Sequence, residues 1–355
     1  MTAHLATATH PAWTSVIVDR GLPGYGATAY SLALDVGSAS NAAVRRLVDE
    51  SAPISRELAA AMPTCFRTLS AIAISPSPAS GGESGWGQGG GFDFPSPSGG
   101  GQGGGLHRLR RRWPDVVLSP DETVIAGLTA TGARPLALVE ALATGMRRRG
   151  VQIWDGTEVA ALESAPEGVG LSMADGRELL AARVVIAVGP WITTGFWQGF
   201  ARRLGVRAKK IVALHLDIRP GADDPAVLFM ADDAFLLPDV DGDRYLFSFA
   251  SQEWDCSPDP ARLRITPDDR ELALEILERR LPGLARHWSG GRVFCDAYTP
   301  NRAPLVAASD ADPRLCIATG GSGSGFRLAP GIAQGALRLL DAVAQPAMAQ
   351  VNVVR

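Results

Sequence analysis

Short apolar runs and apolar residues at helical spacing alternate along most of the chain. Residues 15–18 (Ser-Val-Ile-Val) read as a short buried strand closed by Asp19. Residues 135–149 carry apolar side chains near helical spacing. Three arginines in the last turn suit the helix dipole, and Gly150 then stops the helix. Residues 151–154 follow as a strand, and 157–163 with 170–173 form a hairpin around the turn 165–168. Residues 184–188 (Val-Val-Ile-Ala-Val) and 315–318 (Leu-Cys-Ile-Ala) are continuous apolar runs, the pattern of parallel strands buried on both faces. The second leads into glycine-rich turns and a helix over 329–344.

The middle of the chain has a different rhythm. Residues 211–218, 226–229, 234–237 and 245–249 are strands separated by Pro, Gly and Asp turns, notably Asp239-Val-Asp-Gly-Asp243, which predicts an antiparallel sheet. A helix rich in charge on one face follows at 267–281. This order predicts an α/β fold: a Rossmann-like parallel-sheet domain built discontinuously from 1–40, 134–200 and 291–345. Into it is inserted an α+β domain with an antiparallel sheet, from 41–133 and 201–290, that would hold the substrate.

Composition adds exclusions. The 355 residues are 46% hydrophobic and 20% charged, ordinary values that exclude collagen and wholesale disorder. A net charge of -3 gives no global pull toward nucleic acid or an anionic membrane, and no apolar run approaches the ~20 residues of a membrane span. The N-terminus lacks the pattern of a secretory signal, and four dispersed cysteines without a C-x-x-C pair suit a reduced, cytoplasmic protein with no metal site. In 80–105, 13 of 26 residues are glycine, too few apolar side chains to offset the entropy of ordering, so this stretch is expected to be a flexible insert. The basic cluster behind it, 106–113, is expected to be a solvated edge.

Asp19 at a strand end can accept the hydroxyls of an adenosine ribose, or it is a turn aspartate before Gly21. In a dinucleotide fold that acid comes ~20 residues after a G-x-G-x-x-G turn. Here residues 2–10 look like the body of the helix that follows such a turn, with no strand or glycines ahead of it. The expectation is an N-terminal truncation that removes the phosphate-binding turn, weakens cofactor binding and leaves the strand at 15–18 with an open edge.

Four segments carry a resemblance. Val18-Asp-Arg-Gly21 with Gly24-Tyr-Gly-Ala-Thr-Ala-Tyr-Ser31, then Val184-Val-Ile-Ala-Val-Gly-Pro-Trp191, then Tyr298-Thr-Pro-Asn-Arg-Ala-Pro-Leu-Val306, and Ile317-Ala-Thr-Gly-Gly-Ser-Gly-Ser-Gly-Phe-Arg-Leu-Ala-Pro330 resemble, in order, the D-amino-acid-oxidase-like FAD oxidoreductases, which include glycine and sarcosine oxidases. The resemblance makes the parallel-sheet domain FAD-binding. It implies oxidation of the C–N bond of a small-molecule amine or amino acid to an imine, with O2 or another electron acceptor. It places Asp19, Arg20, Ala27, Thr28, Ser31, Val159, Gly189 and Trp191 near the cofactor, together with Gly321, Gly323, Ser324, Gly325, Phe326, Arg327 and Leu328. The physics agrees: a glycine turn before a helix lets backbone N–H groups approach a flavin and its pyrophosphate. The other reading of those glycines is a mobile surface loop. Some relatives tether the flavin to a cysteine just before the Tyr-Thr pair; Cys295 stands one residue too far from Tyr298, so non-covalent FAD is expected.

A substrate carboxylate calls for an arginine, whose planar fork pairs with it bidentately. Arg302, four residues after Tyr298, is the candidate, with a surface ion pair as its other reading. His215 reads as a sheet-surface histidine, and Lys209-Lys210 as solvated lysines or a cation beside the flavin. An alternative to the enzyme is an inactive remnant or binding module that does not hold FAD.

Overall fold

The computed structural model describes residues 1–76, 94, 102–239, 243–343 and 352–354. The N-terminal segment forms α1 (Thr2–Thr9), β1 (Val16–Val18), the single turn α2 (Ala27–Tyr30), β2 (Leu34–Asp35), the long α3 (Ala42–Ala61) and β3 (Phe66–Pro76). After it come α4 (Gln102–Arg112), β4 (Glu122–Ala133), α5 (Pro135–Arg148), β5 (Gln152–Trp154), and the meander β6 (Val159–Ala165), β7 (Gly168–Met173) and β8 (Glu178–Ala181). The remainder is β9 (Val184–Ile186), α6 (Gln198–Leu204), β10 (Arg207–Leu216), β11 (Ala226–Phe229), β12 (Ala234–Pro238), β13 (Tyr245–Phe249), α7 (Pro267–Arg280), β14 (Trp288–Tyr298), β15 (Leu305–Ala308), β16 (Leu315–Thr319), α8 (Gly325–Asp341) and β17 (Asn352–Val354).

The parallel part stands in two pieces. β1 pairs in parallel with β5, and β9 pairs in parallel with β16, whose other edge takes β15 antiparallel. Among the described residues no ladder joins the two pieces. A common core nevertheless links them, since Val16, Val18 and Trp154 pack with Ile186, Ile192 and Ile317.

The larger sheet has eight strands in the order β14-β10-β13-β12-β11-β3-β4-β2. It is not purely antiparallel as its strand-turn pattern suggests, because β11 runs parallel to β3, Ala226 opposite Ala71. Those two strands are 150 residues apart in sequence, so no local pattern reveals their pairing. β14 and β2 belong to this sheet although they flank the cofactor segments in the chain. α7 covers one face through Ala273, Ile276 and Leu277. It begins with a capping box in which the Thr266 side chain accepts the Asp269 N–H and Asp269 accepts the Thr266 N–H.

The glycine-rich stretch 80–105 lies outside the described residues except for Phe94 and 102–105. Phe94 packs on the core around Leu128 and Leu246. The four last residues correct the expected boundary: they open α4, which docks on β4 with Leu109 fully buried and Gly105 pressed against Ala126. Nor is the basic cluster a solvated edge throughout. Arg112 pairs with Asp224 at 2.8 Å and its guanidinium lies over the Trp113 and Tyr245 rings. α8 starts at Gly325, four residues earlier than its apolar spacing indicates. No helix among the described residues is long and apolar enough to cross a membrane.

The two adjacent glycines of α4 give a paired test. A Cβ at Gly105 would collide with Ala126, whereas one at Gly104 meets nothing within 4 Å. Gly105→Ala should cost about 1–3 kcal/mol by overpacking, and Gly104→Ala should gain up to about 1 kcal/mol of helix propensity. Urea denaturation of both variants checks this; equal stabilities would mean that α4 does not rest on β4.

Candidate active site

The end of β14 is laced to the glycine turn 320–324 that connects β16 to α8. The Ser322 N–H donates to the Ala297 carbonyl at 2.9 Å, and the Thr299 N–H to Ser322 Oγ at 3.3 Å. The Asp296 carboxylate accepts the Gly323 N–H at 2.7 Å and its neighbour's N–H, that of Ala297, at 2.8 Å. Two glycines make this approach feasible. A Cβ at Gly320 (φ +69°) would strike Thr299, and one at Gly323 (φ +80°) would come within 3.1 Å of Tyr298 Oη. Thr299 Oγ1 donates to the Ala303 carbonyl at 2.7 Å, closing a turn that contains an arginine. That arginine, Arg302, sits at φ +55° with its N–H on the Thr299 carbonyl at 3.1 Å. Thus Tyr298, Arg302, Gly321, Gly323, Ser324 and Gly325, separated by up to 27 residues, come together at one end of the large sheet.

The first turn of α8 presents the N–H groups of Gly325, Phe326 and Arg327, which have no acceptor among the described residues, and nothing lies within 4 Å of the position a Gly325 Cβ would take. Oriented donors, a helix dipole and open approach form a donor set that fits the carbonyl and phosphate oxygens of a flavin nucleotide. The side chains behind that turn are anchors. Phe326 packs with Ile17 and Leu138, and Leu328 is buried with Ala39, Val44 and Ala303. The Arg327 guanidinium reaches the Ser38 carbonyl at 2.9 Å and Asp35 at 3.7 Å, and also donates to Ser324 Oγ at 3.2 Å, which ties the turn to the first turn of α8.

A second group gathers around β1. The Asp19 N–H donates to Trp154 at 3.0 Å, and its carbonyl accepts the Thr157 N–H at 2.8 Å, which brings the start of β6 and Val159 to the same edge. Asp19 Oδ1 accepts the Gly21 N–H at 2.9 Å, the turn role, while Oδ2 has no protein donor among the described residues. Burial pushes the Asp19 carboxyl up, with the Gly21 N–H and Arg20 opposing. Arg20 stacks over the Trp191 ring at 5.5 Å, and Gly26 fits under that ring, where a Cβ would lie 2.9 Å from it. Gly189 (φ +57°) opens the short turn that carries Trp191. Ala27 and Thr28 form α2, and Ser31 at its end accepts the Ala33 N–H at 3.1 Å. Tyr25, Ala27, Tyr30, Trp191, Phe294 and Cys295 line a crevice between this group and β14.

The remaining wall is charged and was largely invisible in the sequence. Lys209 and Lys210 are buried rather than solvated. Lys209 Nζ lies 5.2 Å from the Trp254 ring centre and 5.4 Å from that of Tyr298, and burial lowers its pKa. Lys210 pairs with Asp269 at 2.7 Å and with Glu253. Asp233 stands in the left-handed region (φ 48°, ψ 46°) between β11 and β12. Burial raises its carboxyl to about 7, with the charges of Lys209 and Arg302 pulling it back down. The preceding residue clamps this turn, because Asp232 binds Arg280 at 2.5 Å and Arg279 at 2.7 Å. Burial also pushes the Tyr298 hydroxyl well up. Asp233, Asp296 and Trp254 carried no sequence signal beyond ordinary turn and strand residues. His215 faces Arg244 at 3.4 Å on the sheet surface, outside this cluster. Among the described residues no three His, Cys, Asp or Glu side chains are grouped to hold a metal.

The geometry agrees with what the chain is similar to. A glycine oxidase from Bacillus cereus superposes with a TM-score of 0.70 at 16% identity, covering 97% of this chain and 92% of that one. Fructosyl amine:oxygen oxidoreductase (Amadoriase I) from Aspergillus fumigatus gives 0.68 at 19% identity, covering 96% and 83%. An L-amino acid deaminase from Proteus vulgaris gives 0.67 at 14% identity, covering 98% and 92%. None of the curated proteins compared with the chain matches it. The family model for FAD dependent oxidoreductases matches residues 1–338, and with a glycine-opened α8 and an acid at the end of β1 in place, this chain belongs to that FAD-dependent oxidoreductase family.

Proposed function

We propose that the chain oxidises the C–N bond of an amino acid or related amine to an imine, with FAD held non-covalently and O2 or another acceptor taking the electrons. The observation that supports it most is the lacing of Asp296, Ala297 and Thr299, the segment that carries Tyr298 and leads into Arg302, onto the glycine turn at the head of α8. When bound there, FAD supplies the acceptor for the hydride leaving the substrate's α-carbon. Asp19 Oδ2 would hold the adenosine ribose, and the N–H groups of Gly325, Phe326 and Arg327 would meet the anionic side of the cofactor. Cys295 has its sulfur 2.6 Å from that of Cys256 and 2% of its surface exposed, a placement that favours a non-covalent cofactor.

The chain's own groups divide the substrate's charges. Arg302 would pair with a carboxylate through its planar fork, and buried Lys209 adds positive charge on that side. An amino acid enters with an ammonium group, which has no lone pair until it loses a proton. Asp233, with a pKa of about 7, suits the acceptor of that proton, and its carboxylate would select a cationic amine over a neutral alcohol. Tyr298, its hydroxyl held protonated by burial, can donate a hydrogen bond to the substrate or to the turn.

The primary test is spectroscopic. Protein supplied with FAD should be yellow and should bleach on anaerobic addition of an amino acid it accepts; a chain that stays colourless with FAD present would refute the proposal. Asp19→Ala should weaken FAD binding by roughly 1.5–3 kcal/mol, read by flavin fluorescence, and unchanged affinity would leave Asp19 as a turn residue alone. Arg302→Met should cost about 2–5 kcal/mol in kcat/KM for amino acids while sparing amines without a carboxylate. Because the Asp233 carboxylate accepts a proton only when ionised, kcat/KM should rise as pH rises through about 7. Asp233→Asn should flatten that limb, and a limb that persists would assign it to another group.

A further inference from the structure

Two of the four cysteines meet at the wall between the crevice and the charged cluster. Cys256 Sγ lies 2.6 Å from Cys295 Sγ, and Cys295 also points at the Ser257 carbonyl, 3.5 Å away. Both are free thiols, as are Cys65 and Cys316. Cys295 is buried on β14 opposite Lys210, while Cys256 is half-buried in the segment between β13 and α7.

That segment is already fixed on the N-terminal side of Cys256. The Lys210 N–H donates to the Glu253 carbonyl at 2.9 Å, the Asp255 N–H to Ala208 at 2.6 Å, and Arg207 binds Asp255 at 2.6 Å. Beyond Cys256 it is held differently: Pro258, Pro260 and Leu263 reach across to the crevice that Trp191 and Phe294 also line. The two sulfurs therefore sit at the hinge between the fixed and the crossing part of the segment. Trp254, two residues before Cys256, rests edge-on against Tyr298 with ring centres 5.4 Å apart.

We infer that Cys256 and Cys295 form a redox modification site, a reversible disulfide that ties the segment 256–263 to β14 when the protein meets a peroxide. The chemistry balances with that co-reactant. The Cys256 thiolate attacks one peroxide oxygen, the O–O bond breaks, and a sulfenic acid forms as water or an alcohol leaves. The Cys295 sulfur then attacks the sulfenic sulfur, the S–S bond forms, and a second water departs with the Cys295 proton. Two thiols lose two electrons and the peroxide gains them. The roles follow from exposure: Cys256 reaches solvent and Cys295 does not, which makes the first the attacking and the second the resolving group. Its neighbour's hydrogen bond also favours the Cys256 thiolate.

The experiment counts thiols in the full chain before and after a small excess of hydrogen peroxide, then maps tryptic peptides without reduction. The number of titratable thiols should fall from four to two and return with dithiothreitol. Peptide 245–262 should appear joined to peptide 293–302. Cys256→Ser should slow peroxide-driven thiol loss at least tenfold. Cys295→Ser should stop Cys256 at the sulfenic or sulfinic state, detected as a mass gain of one or two oxygens on 245–262. Four thiols surviving peroxide, or a linkage through 57–67 or 315–327, which carry Cys65 and Cys316, would overturn the inference. The peptide map of the unaltered chain decides this even if a serine variant does not fold.

Discussion

The Asp296 carboxylate on the Gly323 N–H is the contact on which the candidate site depends. It joins the last strand of the large sheet to the turn that opens α8. Burial raises the carboxyl, and two backbone N–H groups offset that cost by stabilising its ionised form. Around it the Ala297–Ser322 and Thr299–Ser322 bonds and the close approach of Gly320 leave little freedom. The consequence is positional: the residue that would meet a substrate carboxylate and the backbone donors that would meet the cofactor belong to one rigid unit.

Buried ion pairs supply the opposite wall. Arg280 is enclosed with Glu122 and Asp232, all nearly inaccessible, and each charge has a hydrogen-bonded partner. Replacing such a network with apolar groups is often neutral for stability, but removing one member strands the rest. Its contribution here is geometric. By clamping Asp232 it holds the next residue, Asp233, in a left-handed conformation, half-buried, where burial raises its carboxyl. Lys210 with Asp269 and Glu253 does the same for the segment that carries Trp254 and Cys256.

The site thus lies where a sheet mostly of antiparallel strands abuts two parallel pieces. The large sheet contributes Lys209, Asp233 and Tyr298, and the parallel pieces contribute β1 with Asp19 and β16 with the glycine turn. β14 belongs to the former by its ladder with β10 and to the latter by its hydrogen bonds to residues 322 and 323. A chain that alternates between the two kinds of sheet builds a cleft at their junction without a separate device.

Local chemistry wrote much of this into the sequence. The apolar run at 315–318 reads directly as a buried strand, and 226–229 and 245–249 match the observed strands residue for residue, whereas 184–188 shortens to the edge strand Val184–Ile186 in which only Ile186 is buried. Asp19 at a strand end and glycines before a helix were legible because each follows from backbone geometry within a few residues. The long strands β3 and β4 and the helix α3 carry no comparable local signal, since their pairing and packing partners lie far away in sequence. The same distance hid Asp233, Asp296 and Trp254. A carboxylate in a turn carries no mark of its surroundings, and only folding decides whether it meets water or a buried lysine and a glycine N–H. Lys209 and Lys210 show the limit most plainly. Their solvated appearance in sequence gave way to burial because Trp254, Asp269 and Glu253, 43 to 59 residues downstream of the lysines they meet, provide the partners that make burying a cation tolerable.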